Sequence, residues 1–413
     1  VASTYFDLSA ANFALKELYD GQIVNNEVYK ENPFYTMVQK KTNFVGKVHP
    51  VPMIVGVSQG RSSTFANAQG NQTPLQGVEF LMTRKRDYSI ATIDNETMLA
   101  AASDKGAFIE GAQTVIDAAI RASVLSLSSS MYRGGTGSIG QIATGGITSG
   151  VITLADPSAV VQFEIGQTLQ AAATDGAAPR AALGYVVAVD RTAGTVSVAA
   201  SQGGTAASPA LWAAADFLLV QGDSNAKVSG LNAWLPASAP GSSDNYYGVN
   251  RSFDPVRMAG VRYNGAAQDI PEALIDAAGF VAREGGSPGL CFMSYASFQA
   301  LEKALGAKVL YTQLGTDVAD VGTISFSGIK INGPNGVITC LPDRNCPGFQ
   351  AFMLTMSSWT LKTLGEAPMI IPYADGLQWL RVTNADAAEV RVGYYGNLEC
   401  NAPGWNANIT LSQ

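Results

Sequence analysis

Two runs near the start of the chain alternate with a period of two. Val51, Met53, Val55 and Val57 alternate with Pro52, Ile54 and Gly56, and Val78, Phe80 and Met82 alternate with Glu79, Leu81 and Thr83. That period predicts a pair of strands. Pro50 and Pro52 cannot donate to a ladder, so the outgoing strand is expected at an edge. Between the runs, Ser58 to Gly77 is almost entirely Ser, Gln, Asn, Gly, Thr and Ala. A polar tip of this length predicts a functional or partner-ordered loop. With arms of roughly 20 residues at about 3.3 Å each, the hairpin is expected to reach about 60–70 Å.

The period then changes to three and four. Phe108, Ile109, Ala112, Val115, Ile116, Ala119, Ile120, Val124, Leu127 and Met131 mark one apolar stripe, which predicts an amphipathic helix over 104–131. Its length would be about 42 Å at 1.5 Å per residue, and Gly134-Gly135 ends it. Residues 147–225 turn to Ala, Gly, Thr and Val. Val161/Phe163/Ile165, Tyr185/Val187/Val189 and Val196/Val198 are expected as short strands, with a turn at Asp190–Gly194 and Trp212 as the one Trp of the segment. Such spacing suits a small barrel or sandwich, here an inserted β-domain.

Beyond 226 the pattern is mixed. Asp269 and Pro271 open a helix that Gly285-Gly286 stops, and Ser294 opens another that Gly306 stops. Ile324–Ile331, Phe349–Met356, Leu377–Val382 and Glu389–Tyr395 are strand-like. No strict βαβ rhythm runs through them, so the fold class is α+β. Ahead of the hairpin, Ser9, Phe13, Leu18 and Gly21 outline a short helix, followed by an amide-rich extended arm through Asn25, Asn26 and Asn32-Pro33.

Charge sharpens this picture. Of 413 residues, 14% are charged and 47% hydrophobic, against about 25% charged in ordinary soluble domains. A surface so poor in charge is expected to face other protein. The net charge of −7 argues against phosphate-driven nucleic-acid binding. Residues 40–86 carry Lys40, Lys41, Lys47, Arg61, Arg84, Lys85 and Arg86 against Glu79 alone, a net +6 that leaves −13 elsewhere. A basic projection on an acidic body suits docking onto a second copy. Apolar stretches such as Ala181–Val189 are too short to span a bilayer. Val1–Asp7 has no signal-peptide character, and a chain opening on Val is expected to have lost at least one residue.

Candidate chemistry is sparse. The single His, His49, lies among prolines and aliphatic residues rather than beside a nucleophile. Cys340 and Cys346 lack the spacing of a structural zinc site. They are expected as free loop thiols in a reducing compartment, with a local disulfide as the alternative. Gly135-Thr136-Gly137-Ser138-Ile139-Gly140 spells GxGxxG, yet it follows a helix instead of a strand, so it is expected to be a flexible linker and not a dinucleotide site. No carboxylate pair stands at a telling spacing. The expectation is a non-enzymatic protein with no catalytic, metal or cofactor-binding residue.

The order of elements (basic hairpin, long amphipathic helix, mixed α/β with two short helices, closing strand) resembles the major capsid proteins of tailed double-stranded DNA phages, the Hong Kong 97 fold. Asn32-Pro33-Phe34-Tyr35 with Gly46 resembles the junction of arm and extended loop. Gly230–Pro236, Val249–Ser252 and Glu399–Pro403 resemble stretches of one branch. The resemblance implies an N-terminal arm (1–45), an extended β-hairpin loop (46–92), a peripheral domain with the spine helix (93–146) and an axial domain (227–345). Return strands and tail would occupy 346–413, and 147–226 would be an insertion. It further implies a shell of hexamers and pentamers, assembled in a bacterial host's cytoplasm, that encloses DNA without reading its sequence. Portal, scaffolding and decoration proteins would be partners, and no membrane is involved. Intersubunit contacts are expected from Arg61, Arg84, Lys85, Arg86, Lys47 and Phe65. An encapsulin-like compartment shares the fold, and a secreted β-rich adhesin or surface-layer protein is the alternative from another class.

Overall fold

The computed structural model describes residues 32–95, 105–306, 311–318, 322–371, 379–382 and 385–412; the helix expected over 9–21 lies outside them. The described chain begins with a short helix, Pro33–Met37, opened by the proline and buried through Thr36. Strand β1 (Gln39–Lys41) follows. Strands β2 (Val48–Gly56) and β3 (Gln76–Thr83) form an isolated two-stranded antiparallel sheet. The edge placement of β2 suits Pro50 and Pro52, which have no N–H to offer a further strand. The reach is shorter than expected. Nine residues of strand extend about 30 Å, because the intervening chain turns back through a helix, Phe65–Gly70, instead of prolonging the ladder.

Strand β4 (Lys85–Asp94) leads to the long helix Lys105–Tyr132, one residue from its expected bounds at each end. Its exit glycines correct another expectation. Gly135 and Gly137 have φ of +82° and +88°, and a side chain at Gly137 would collide with the Asp223 carbonyl. Gly230 in turn lies against the Met131 carbonyl. The GxGxxG segment is a tight crossing of two chain segments rather than a flexible linker.

Past that crossing stand β5 (Ser138–Thr148), β6 (Val151–Leu154), β7 (Thr168–Ala172), β8 (Gly184–Asp190), β9 (Thr195–Ala199) and β10 (Phe217–Val220). They close into a barrel in the order β10-β5-β6-β9-β8-β7. Its interior is filled by Ile142, Ile152, Phe163, Leu169, Val196, Leu218 and their neighbours, a cluster distinct from the other cores. The strand expected at 161–165 is instead a 3-10 turn, Pro157–Gln162, because Pro157 follows Asp156, whose carboxylate caps the turn at Ser158 N. In β8 the buried valine is Val186 rather than Val187, and the register slips between Val186 and Ala188. Asp190 closes the β8–β9 turn by accepting from the N–H groups of Thr192 and Ala193.

The remaining chain builds two sheets. Strands β11 (Val261–Asn264), β12 (Leu290–Met293), β13 (Tyr311–Val318), β14 (Gly322–Gly333), β15 (Gly336–Pro342) and β16 (Gln350–Leu354) belong to the larger. The chain then supplies β17 (Trp359–Thr363), β18 (Met369–Ile370), β19 (Trp379–Arg381), β20 (Ala387–Cys400) and β21 (Ala407–Thr410). Seven strands run β11-β21-β16-β12-β15-β14-β13. The helix Ile270–Arg283 buries Ala273, Leu274, Ala277, Ala278 and Val281 in the core it shares with that sheet. Ser294 caps the next helix, Tyr295–Leu305, by accepting from Ser297 N. In the second sheet β20 is the spine: β4 pairs along one side of it, and β17, β18 and β19 share the other. β1 joins beyond β17 in parallel. Parallel pairs are the minority throughout, in keeping with α+β.

The cysteines sit differently from the expectation. All four thiols are free and buried. Cys340 is a residue of β15, opposite Cys291, in the core of the larger sheet and its helix, whereas Cys346 belongs to the central core. Cys340 and Cys346 thus pack in separate cores.

Candidate intersubunit surface

The hairpin is seated on its own chain by one face. Val51, Met53, Phe80 and Met82 are buried in the central core. Phe80 meets the rings of Trp234 and Tyr246 edge-on, at 5.3 and 6.1 Å between centroids. Trp234 is fixed in turn by donating from Nε1 to the Leu398 carbonyl at 2.8 Å. Such edge-to-face aromatic pairs add about 0.5–1.5 kcal/mol beyond the area they bury. Polar contacts complete the seat. Leu81 N donates to the Tyr247 carbonyl, Arg257 to the Val55 carbonyl at 2.7 Å, and Asn397 Nδ2 to the Thr83 carbonyl at 2.8 Å.

An ionic group lies beneath the seat. His49 of β2 and Lys362 of β17 each stand 3.5 Å from Oε2 of Glu399 on β20. That oxygen is buried and accepts no hydrogen bond among the described residues, so the Lys362 ammonium compensates it through space, with the His49 ring on its other side. Burying a carboxylate without such partners is strongly unfavourable. His49 is therefore placed beside a buried carboxylate and the Phe44 ring.

The short helix Pro33–Met37 is held by a second buried group. Asp343 accepts from Phe34 N, Tyr132 Oη and Asn345 N. Asn345 Nδ2 also donates to Asn32 Oδ1. Burial pushes the Asp343 pKa up, against the pull of these donors.

Above its seat the hairpin projects. Residues 57–67 and 69–77 are all exposed. They hold their shape by local bonds: Thr73 N donates to the Gln59 carbonyl, and Gln59 N to Thr73 Oγ1. Phe65, first in the tip helix, is 82% exposed, and Ile54, Val57 and Leu75 are exposed as well. The outer surface continues through Leu81 and along β4 through Tyr88 and Ile90. An apolar strip of this extent rimmed by polar residues marks an interaction surface.

The expected contact residues divide into two groups. Lys47, Arg61, Arg86 and Phe65 are exposed. Arg84 donates to the Phe44 carbonyl at 3.3 Å, and Lys85 to the Asn225 carbonyl at 2.8 Å, so both engage the same chain. Desolvation there lowers the Lys85 pKa. Sequence reasoning missed the Glu399 and Asp343 groups and the apolar character of the outer face. Ile54 and Leu81, at the polar positions of the alternation, were the available signal. Among the described residues no cluster of His, Cys, Asp and Glu could hold a metal ion, and no described helix is long and apolar enough to cross a membrane.

The architecture has solved counterparts. It superposes on a chain of the cyanophage A-1(L) capsid asymmetric unit with a TM-score of 0.51 and 12% identity, over 93% of each chain. The capsid of Myoviridae phage XM1 gives a TM-score of 0.42 at 7% identity, covering 92% of this chain and 91% of that one. The holo-SrpI encapsulin complex from Synechococcus elongatus PCC 7942 gives 0.41 at 9% identity, covering 98% and 94%. No family model and no curated protein matches the sequence. The chain has the fold of a phage capsid subunit.

Proposed function

We propose that this chain is the major capsid protein of a tailed double-stranded DNA phage, a structural and non-enzymatic subunit of the head. Support comes from the likeness to the cyanophage capsid chain over nearly the whole length. The observation that carries the reading is the hairpin: seated on its own body at the base, it offers Phe65, Val57 and Leu75 to solvent at the tip. A neighbouring copy is the natural cover. In this reading Lys47, Arg61, Arg86 and Phe65 contact the neighbour, while Arg84 and Lys85 fix the angle at which the hairpin leaves.

The parts then take their roles. Residues 1–45 are the arm and 46–92 the extended loop. Residues 93–146 form the peripheral domain with its spine helix, 227–345 the axial domain that gathers copies into hexamers and pentamers, and 346–413 the return strands and tail. The barrel, 147–226, is an insertion. No single contact needs to be strong, because each subunit touches many others and symmetric closure multiplies modest energies. An acidic body also keeps the shell from adhering to enclosed DNA. Portal, scaffolding and decoration proteins would complete the particle, assembled in the host cytoplasm.

The test replaces residues 57–75 by Asn-Gly, a two-residue turn that joins the paired Gly56 and Gln76 of β2 and β3. The expected product is folded, with an unchanged thermal midpoint, and yields no closed particles in negative-stain images where the parent chain yields uniform hollow polyhedra. Normal particles from the shortened chain would refute the docking role. Nucleic acid inside particles recovered from infected cells separates a phage head from an enzyme-filled compartment, and sheets would indicate a surface layer.

A further inference from the structure

A cavity of about 590 Å³ opens where the long helix meets the barrel. That is the size of a small-molecule site. Leu125, Ile139, Val161 and Val220 give it apolar walls, and Ser126, Ser129, Ser130, Gln162 and Gln167 line the rest. Its charged lining is unequal: Arg121, Arg133, Lys227 and Arg344 against Glu164 and Asp223. Both acids already have partners. Asp223 stands 3.1 Å from Lys227, which also binds Asp87, and Glu164 stands 3.0 Å from Arg191, outside the cavity.

Arg133 is the exception. Among the described residues its guanidinium donates only to neutral oxygens, the Ile139 carbonyl at 2.8 Å and Ser129 Oγ at 3.4 Å. Asp156 and Asp175 act on it only through space, and both Asp156 oxygens are occupied by Ser158 and Gly348. A partly buried guanidinium without a carboxylate in contact is an uncommon arrangement. Its planar fork suits a carboxylate, sulfonate or phosphate.

We propose that this cavity binds a small organic anion, an apolar body carrying one carboxylate, sulfonate or phosphate head that pairs with Arg133. The apolar walls hold the body, and the Ser129 hydroxyl, which accepts from Arg133 and keeps its own proton, donates to a further head-group oxygen. The site lies within one chain and is independent of the shell reading.

The probe is 8-anilinonaphthalene-1-sulfonate, compared with N-phenyl-1-naphthylamine, which keeps the rings without the sulfonate. Fluorescence titration of the purified full chain should show one saturable sulfonate site. Arg133→Met should weaken that site at least tenfold and leave the neutral probe within twofold. Ala122→Phe, which fills the cavity mouth while keeping Arg133, should reduce both probes. Inorganic phosphate at millimolar concentration should displace the sulfonate more than chloride at equal ionic strength does. If Arg133→Met does not fold, Ala122→Phe and the phosphate competition still decide. Equal sulfonate affinity in parent and variants, or no preference for phosphate over chloride, would overturn the proposal.

Discussion

The barrel and the hairpin are both β-structure attached to one body, and they are stabilised in opposite ways. The barrel has a core of its own, with Phe163, Ile152 and Val198 enclosed by strands that leave no free edge. The hairpin has two strands and no independent core; its buried side chains, Val51, Met53, Phe80 and Met82, all belong to the central core. A two-stranded ribbon alone is marginal in water. Its two strands therefore take their stability from the body beneath them, while the barrel carries its core with it.

The sharpest probe of this contrast is a matched pair of cavity mutations. Phe163→Ala and Phe80→Ala should each cost about 3–5 kcal/mol, at different places. Hydrogen exchange should show the first opening 138–220 with the hairpin still protected, and the second opening 48–83 with the barrel intact. If both variants lose protection everywhere, the two regions are one cooperative unit.

Next comes the ionic group under the hairpin. Lys362→Met leaves Glu399 buried with only His49 near it, and should cost about 2–4 kcal/mol. Adding Glu399→Gln should restore most of that loss, as read by urea midpoints. A double variant no better than the single one would place the effect in packing instead.

A smaller effect concerns Asp343. Its pKa is raised in the folded state by burial, so above the ordinary carboxylate range the folded chain holds a proton that the unfolded chain has released. This contribution to stability is complete at low pH and is lost as pH climbs through the raised pKa. Asp343→Asn should cost about 1–3 kcal/mol by upsetting its donors, and the difference in stability between parent and variant should shrink as pH rises. A difference that grows with pH would contradict the assignment. Smallest of all, Arg61→Ala at the exposed tip should change folding stability by no more than about 0.5 kcal/mol while slowing particle formation at low salt.

The sequence disclosed these regions unevenly. Alternation exposed β2 and β3, and the three-and-four spacing of Val115, Ala119, Val124, Leu127 and Met131 exposed the long helix, because each element buries one face only. It failed for β12 and β15. Cys291-Phe292-Met293 and Ile338-Thr339-Cys340-Leu341 are buried in succession, and a strand covered on both sides has no period to read. The hairpin's basic residues were legible as composition. Asp343 and Glu399 were not, since their partners come from far along the chain: Asn345 bonds Asn32 across 313 positions and Tyr132 reaches Asp343 across 211. The Cys340 thiol was misplaced for the same reason, as a loop residue when it is central to a sheet.

The tight crossing at Gly137 and Gly230 has an engineering consequence. Both stems of the barrel are held where they leave the body, and Asp156 and Gln162 bond the body again through Gly348 and Asn345, so a graft at Ser201–Gly204 rests on a module anchored at two places. An added loop on those turns leaves both anchors in place, whereas exchange of the whole barrel would have to rebuild the bonds to Gly348 and Asn345 as well as fit the same pair of glycines.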